Sequence, residues 1–557
     1  MLRLLSRRRP QSAAAVTAQR TLRMLSSDAK DPILSKSDPT AQPNPSTTTT
    51  TTTTSSTSSS TSTSCSTHDP TLHETTQFYG SPLKRTTTWL QAFRAREQKH
   101  QEWLEKNKDD ILAGRLHPHQ FPLESYSYQH VVTEKVTKKS PKDSFSYTIL
   151  PFKSDEWFLD GYINAFGRLR IGQLFQDLDS LAGIIAYRHC SPALPVIVTA
   201  SVDRVFMKKR LDKIADYNVS LSGNVTWTGR SSMEITIKAC THTDPMNRDT
   251  TVLTPDDVNE SDVFLTANFT FVARHPTTKR SFPINHVVPE TPDELREFVR
   301  AEKYNTAKKE AAQKTSLNHR PPSGEESRLI HSKWLTTLPG YIESHKTSPQ
   351  ILSTTMAKTR THSTTMMQPQ YRNRHSYMIF GGYLLRETFE LAYSCSAAFA
   401  HASPRFVSLD ETTFRNPVPV GSVLYLTATV VYTEFINRKQ NPEAGEPSAP
   451  TSAPLPNSGS EFAKTAVPGT LIQVRVDSLV RDINHGTTTN TGSFVFSFFA
   501  AAQAPGAPVE APAKYYTIVP ETYAEMMEYL EGRRLAIETA NFNTYVRMIP
   551  SGEVVSE

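Results

Sequence analysis

Two stretches of the chain carry the same rhythm of apolar and polar positions. In the first, Leu174, Phe175, Leu178, Leu181, Ala182 and Ile185 recur at i, i+1, i+4, i+7, i+8 and i+11. At about 100° per residue these make one broad apolar face, which predicts a helix over 172–189. The second stretch, opening FGGYLLRETFELAY, predicts a helix over 382–399. Before the first helix lies an extended lead-in, DEWFLDGYINAFGRLRIG. After it come PVIVTASVDRVFM, YNVSLSGNVTWTG, SMEITIKACT and DVFLTANFTFVARH; after the second come PRFVSLDETTF, GSVLYLTATVVYTEF, GTLIQVRVDSLV and GSFVFSFFAA. Their near-alternation and their Val, Ile, Thr and aromatic content predict antiparallel sheet with one face covered. Each unit closes on VPET, at 288–291 and 519–522, and a helical pattern follows; Thr291, Pro292 and Glu294 fit an N-cap, a first-turn proline and a capping-box acid.

The order of elements therefore occurs twice, which reads as tandem duplication of a long helix wrapped by antiparallel sheet. The helices are offset by 210 residues and the VPET sequences by 231; a proline-rich insertion at 439–468 supplies the difference. Shifting by 210 places Gly172 on Gly382, Leu174 on Leu384, Leu181 on Leu391 and Ala182 on Ala392. Asp177 and Asp179 border the first apolar face on opposite sides. Asp177 meets Glu387, an acid in both copies, as a structural or solvated role allows. Asp179 meets Phe389, so an acid there belongs to the first copy alone. A border carboxylate facing a cleft is suited to proton transfer, because burial raises its pKa. Gly381 and Gly382 start the second helix, where glycine permits close approach to unpaired amide groups that stabilise an oxyanion, and equally permits tight packing.

Length and composition add boundaries. A chain of 557 residues holds about two to four domains. The net charge of +6 is dispersed and calls for no nucleic-acid partner. No run of about 20 apolar residues predicts a membrane span. Cys65, Cys190, Cys240 and Cys395 form no CxxC pair, so neither a disulfide framework nor a metal site is expected; Cys190 and Cys395 read as core. His189 reads as a C-terminal helix cap. The first 30 residues hold six arginines before Asp28, with RMLSS at 23–27 resembling a matrix-protease site, which predicts mitochondrial targeting. The expected organisation is a targeting segment, 1–27; a disordered Ser/Thr-rich spacer, 28–84; a charged N-terminal helix, 85–125; the first unit, 126–287; a helical linker, 288–349; the second unit, 350–513; and a C-terminal helical segment, 514–557.

Across about 145–535 the chain resembles the mitochondrial double-hotdog acyl-CoA thioesterases of the acyl-coenzyme A thioesterase 9 family. The resemblance rests on GQLFQDLDSLAGIIAYRH, VTASVDRVFM and NVTWTGRSSMEI in the first half. In the second it rests on QPQYRNRHSYMIFGGYLLRETFELAY, FVSLDETTFRNPVPVGSVLYLTATV, IQVRVDSLV and VPETYAEMMEYLEGRR. It implies an α+β fold: a tandem double hotdog, each unit a long helix wrapped by a curved antiparallel sheet, the two forming a pseudo-dimer. It also implies metal-independent hydrolysis of fatty acyl-CoA in the mitochondrial matrix, without a cofactor, and commonly a homo-oligomer. The family's acid lies seven residues past the leading glycine of one helix, at Asp179 here, and its partner is an amide side chain in the turn just before the Gly-Gly of the other. With Asp179 activating water, the start of that helix at Gly381 and Gly382 is expected to hold the oxyanion.

One departure stands out. The family carries an asparagine shortly before I-F-G-G, whereas this chain reads RNRHSYMIFGG; Asn373 lies further upstream and His375 nearer. Either orients the water or the carbonyl in its place. That departure leaves open a non-catalytic acyl-CoA-binding protein, while no acid or His pair around FGG matches an acyl-thioester hydratase or dehydratase. For the CoA phosphates the candidates are Lys208, Lys209 and Arg210, after a strand of the first unit, and Arg415 at the matching bend of the second.

Overall fold

The computed structural model describes residues 88–118, 131–314, 317, 321–335, 338, 351–373, 378–410, 412–436, 467–483, 486–503, 508 and 512–547. The targeting segment, the spacer 28–84 (with Cys65), His375 and all but two residues of the insertion 439–468 lie outside them.

Where one charged helix is expected near the N-terminus there are two, α1 (Trp89–Lys106) and α2 (Lys108–Leu112). Thr88 and Gln91 cap α1 reciprocally, and Asn107 ends it by donating its side-chain amide to the Trp103 carbonyl at 2.7 Å.

The first unit contains β1 (Lys138–Lys139), α3 (Pro141–Ser144), β2 (Ser146–Leu150), α4 (Glu156–Asp160), α5 (Ile171–Cys190), β3 (Val196–Met207), β4 (Asn218–Thr228), β5 (Ser232–His242), β6 (Val263–Arg274) and β7 (His286–Val287). Two helices follow, α6 (Pro292–Lys314) and α7 (Gly324–Leu335). The second unit contains β8 (Ile351–Thr355), β9 (Thr361–Met366), α8 (Gly381–Ala400), β10 (Arg405–Leu409), β11 (Thr412–Phe414), β12 (Val423–Ile436), β13 (Gly469–Arg481), β14 (Thr488–Ala501) and β15 (Tyr515–Val519), then α9 (Tyr523–Arg547). Two segments differ from expectation. The extended lead-in contains the short helix α4, which Asp155 caps by accepting from the Phe158 amide. The C-terminal segment begins with a strand, because Tyr-Tyr-Thr-Ile-Val suits a half-buried pleat better than a helix.

An eleven-stranded antiparallel sheet joins the units in the order β2-β4-β5-β6-β3-β10-β14-β13-β12-β9, with β11 lying between β3 and β14. Each half repeats the other: β2-β4-β5-β6-β3 is matched by β9-β12-β13-β14-β10. The small parallel pairs repeat as well, β1 with β7 and β8 with β15.

α5 packs on β3 to β6, and α8 on β9 and β12 to β14. Leu174, Phe175, Leu178 and Ile185 of α5 are fully buried, each contributing about 1.5–3 kcal/mol relative to exposure. Phe175, Phe389, Phe406 and Phe496 form one aromatic cluster across the junction, with ring centroids 5.4–6.1 Å apart among the contacting pairs.

The opposite face of the sheet is covered too. This overturns the expectation of one open face: β4 and β12 are buried along most of their length, because α6 packs on β4 and α9 on β12. Buried polar groups pin these outer helices. Arg300 of α6 donates to Glu234 at 2.6 Å, and Lys308 to Asp203 at 2.6 Å. On α9, Thr539 donates to Asp410, which also accepts from Gln473 and Ser497. Both VPET sequences make the same capping box: the Glu294 and Glu525 amides donate to Thr291 and Thr522 Oγ1, each at 3.2 Å, and the glutamates accept in return from the threonine amides. Among the described residues no helix is long and apolar enough to cross a membrane.

Candidate active site at the junction of the two long helices

α5 and α8 lie against each other so that each presents its first turn to the middle of its neighbour. The contact is close. A Cβ on Gly172 would stand 2.8 Å from Glu390 Oε1, and one on Gly382 would stand 2.6 Å from the Phe380 ring and 3.0 Å from the Gln176 carbonyl oxygen. At Gly382 the crowding includes the backbone of the other helix, so glycine is needed there, whereas at Gly172 the nearest neighbours are side chains.

Asp179 projects from α5 towards the start of α8 and is 1% exposed. Its Oδ1 accepts from the Thr199 hydroxyl of β3 at 2.9 Å. Its Oδ2 has no hydrogen-bond partner and faces Gly381, whose Cβ, if present, would stand 3.1 Å away. Burial pushes the acid from its ordinary 3.8 up to about 7. The Thr199 hydroxyl and the nearby Gly382 amide draw it partly back, although that amide falls short of hydrogen-bonding geometry. No side chain caps the start of α8 at Phe380, so its first amide groups and the positive end of its dipole are directed at this corner.

Asp177 is differently placed. Its carboxylate accepts from the Tyr162 hydroxyl of its own unit at 2.6 Å, although burial pushes it too up to about 7. Of the two border acids, Asp179 is the one with an unbonded oxygen facing the other unit.

The remaining candidates scatter. Asn373 lies in the loop leading to α8, where its amide N–H donates to the Met378 carbonyl at 2.7 Å and a bridge joins Arg372 to Ile379. Its side chain is not among the partners of Asp179. Lys208 pairs with Glu260 at 3.2 Å. Lys209 and Arg210 line a cavity at the start of α5. Arg415 lines another, with Arg475, Asp477 and Glu528. Neither cavity is lined by Asp179, Thr199 or Gly381.

His189 does not cap its helix. The ring is buried, held by the Asn285 carbonyl at 2.8 Å, and its pKa is pushed down to about 4 by that burial. The last carbonyls are satisfied instead by Asn285 Nδ2 and by Lys139 Nζ, which donate to His189 and Arg188 at 2.8 and 3.0 Å. Cys190, Cys240 and Cys395 are buried free thiols. Among the described residues no group of His, Cys, Asp and Glu is placed to hold a metal ion.

Thr199, the hydrogen-bond donor to Asp179, is a residue of this corner that the helix patterns did not point to. A signal for it existed: with Ser-Val-Asp at 201–203 laid on Ser-Leu-Asp at 408–410, Thr199 falls on Phe406. This repeats the exchange of Asp179 for Phe389.

No protein-family model matches the chain. It is 30% identical over 401 residues to acyl-coenzyme A thioesterase 9, mitochondrial, of Homo sapiens, covering 71% of this chain and 77% of that one. To acyl-coenzyme A thioesterase 2, chloroplastic, of Humulus lupulus it is 33% identical over 312 residues, 54% of this chain and 66% of that protein, just under two thirds of its length. Among solved structures it is similar to an acyl-CoA hydrolase from Staphylococcus aureus in complex with butyryl coenzyme A, coenzyme A and coenzyme A disulfide, at 18% identity and a TM-score of 0.25, over 35% of this chain and 100% of that one. An apo-hexameric acyl-CoA thioesterase is similar at 23% identity and a TM-score of 0.24, over 32% and 98%.

Proposed function

We propose, since the chain belongs to the acyl-coenzyme A thioesterase 9 family of hydrolases acting on thioester bonds, that it hydrolyses fatty acyl-CoA to free fatty acid and coenzyme A where α5 meets α8. The two units are taken as a tandem double hotdog; what supports this is the identical strand order in the two halves, each around one 20-residue helix.

One observation carries the mechanism: the unbonded Oδ2 of buried Asp179 faces the uncapped start of the other unit's helix. Asp179 takes a proton from a water molecule through Oδ2, and the hydroxide adds to the thioester carbonyl. The Thr199 hydroxyl fixes the carboxylate by its hydrogen bond to Oδ1. Negative charge developing on the carbonyl oxygen is held by amide groups at Gly381 and Gly382. The tetrahedral intermediate then collapses, the C–S bond breaks, and the leaving thiolate of coenzyme A takes the proton that Asp179 removed from water, which returns the carboxylate to its starting state. A pKa of about 7 keeps an appreciable fraction of Asp179 ionised at neutral pH and makes it a stronger base than an ordinary carboxylate.

The mitochondrial names of relatives from human and mouse, with the arginine-rich first 30 residues, support placement in the mitochondrial matrix. Self-association into a homo-oligomer belongs to the same proposal and is checked by the mass of the particle in solution.

The deciding experiment is free-thiol release from acyl-CoAs of graded chain length, on the wild type and on Asp179→Asn. Removal of a general base lowers the rate about a hundredfold or more. Wild-type release that survives the substitution removes Asp179 from the mechanism; no release on any chain length removes the reaction.

A further inference from the structure

The duplication creates a second corner, at the start of α5, related to the Asp179 corner by exchange of the two units. There the machinery is replaced. Phe389 stands at the position of Asp179 and Phe406 at that of Thr199, their rings packed edge-on with centroids 5.6 Å apart. The start of α5 faces a carboxylate from within the protein: Glu390 Oε1 lies 2.8 Å from where a Cβ of Gly172 would be, and Arg170 pairs with it at 2.8 Å. Among the described residues the carboxylate at this corner is held by Arg170, and it stands at the helix start where an oxyanion would have to bind.

The corner is nonetheless hollow. A cavity of about 350 Å³ opens over Phe389 and Phe406, within the range of small-molecule sites. Its floor is apolar, with Leu169, Ile171, Met207 and Leu211 around the two phenylalanines. Among the described residues five cations line it, Arg168, Arg170, Lys209, Arg210 and Arg405, against Glu390 as the one acid in the lining. Asp212 outside the lining pairs with Arg210 and Arg405, which leaves the wall positive. An apolar floor under a cationic rim suits a ligand with an uncharged arm and several phosphates.

We propose that this cavity is a second, non-hydrolytic site for coenzyme A, occupied by the free cofactor or by the head of an acyl-CoA. The proposal rests on the acyl-CoA assignment of the Asp179 corner, since it is the duplication that brings the same ligand to both. Lys209 and Arg210 then hold CoA phosphates, but those of a ligand that is not being hydrolysed.

The test is equilibrium binding of free coenzyme A to the full chain, comparing wild type, Lys209→Glu, Ala165→Trp and Asp179→Asn. Lys209 has no ion-pair partner among the described residues, and its reversal acts on charge. Ala165 is an exposed residue of the loop lining the cavity, so an indole there fills space without disturbing the core. The expected result is a component of CoA binding weakened about tenfold or more in Lys209→Glu and in Ala165→Trp, and retained in Asp179→Asn. Binding of CoA that neither cavity substitution alters, in variants whose thermal melting is unchanged, overturns the proposal. Thiol release by wild type and Asp179→Asn is read separately: its failure falls on the proposed reaction, whereas an unaltered CoA isotherm falls on the second site alone.

Discussion

Asp179 combines burial, one accepted hydrogen bond and one unbonded oxygen, and each has a measurable consequence. As the proposed base Asp179 acts when deprotonated, so kcat/KM should rise with pH through about 7 and level off above it, as a pH–rate profile checks. Stability should move the other way. The folded-state pKa of about 7 lies above the ordinary 3.8, so the folded state is favoured by protonation; this contribution is intact below about 4 and lost as pH rises towards 7. Asp179→Asn should therefore melt higher than wild type at pH 8, by on the order of 2–4 kcal/mol in stability, and gain little near pH 4. Gly381→Ala should lower kcat on the order of a hundredfold, since the new methyl would sit 3.1 Å from Oδ2 and displace the acid or the substrate carbonyl. The sequence singled out Asp179 because the second copy carries a phenylalanine in its place. It did not single out Thr199, because a threonine in a strand is ordinary until its counterpart, Phe406, is found beside Phe389.

Among elements, the long helices were legible to within a residue at each end, because an apolar face sustained over 20 residues has one period and little ambiguity. Short elements were not: α4 and β15 have five residues each, too few to establish a period. The outer helices α6 and α9 were visible in the VPET capping signal, but their positions depend on side chains distant in sequence. Arg300 binds Glu234 with both groups almost fully buried, so Arg300→Met leaves a charge without its main partner. It should cost about 3–5 kcal/mol, read as a fall in the denaturation midpoint. The same reliance on distant partners hid the covering of the sheet's second face.

On the scale of the molecule, the order of elements disclosed the duplication, whereas the pairing of β3 with β10 and β11 that fuses the halves into one sheet had no sequence signal. Residues 85–349 and 350–557 expressed separately should each lack thiol-releasing activity, since Asp179 belongs to one and Gly381 to the other; co-expression should restore it. That fused sheet also has a kinetic consequence. A site assembled from two separate copies loses activity on dilution, as its partners dissociate. Here the proposed base and the proposed oxyanion site are tethered on one polypeptide, so each encounters the other at an effective concentration fixed by the chain. If turnover takes place at the Asp179 corner as proposed, its rate per chain should therefore be independent of how many other chains are present.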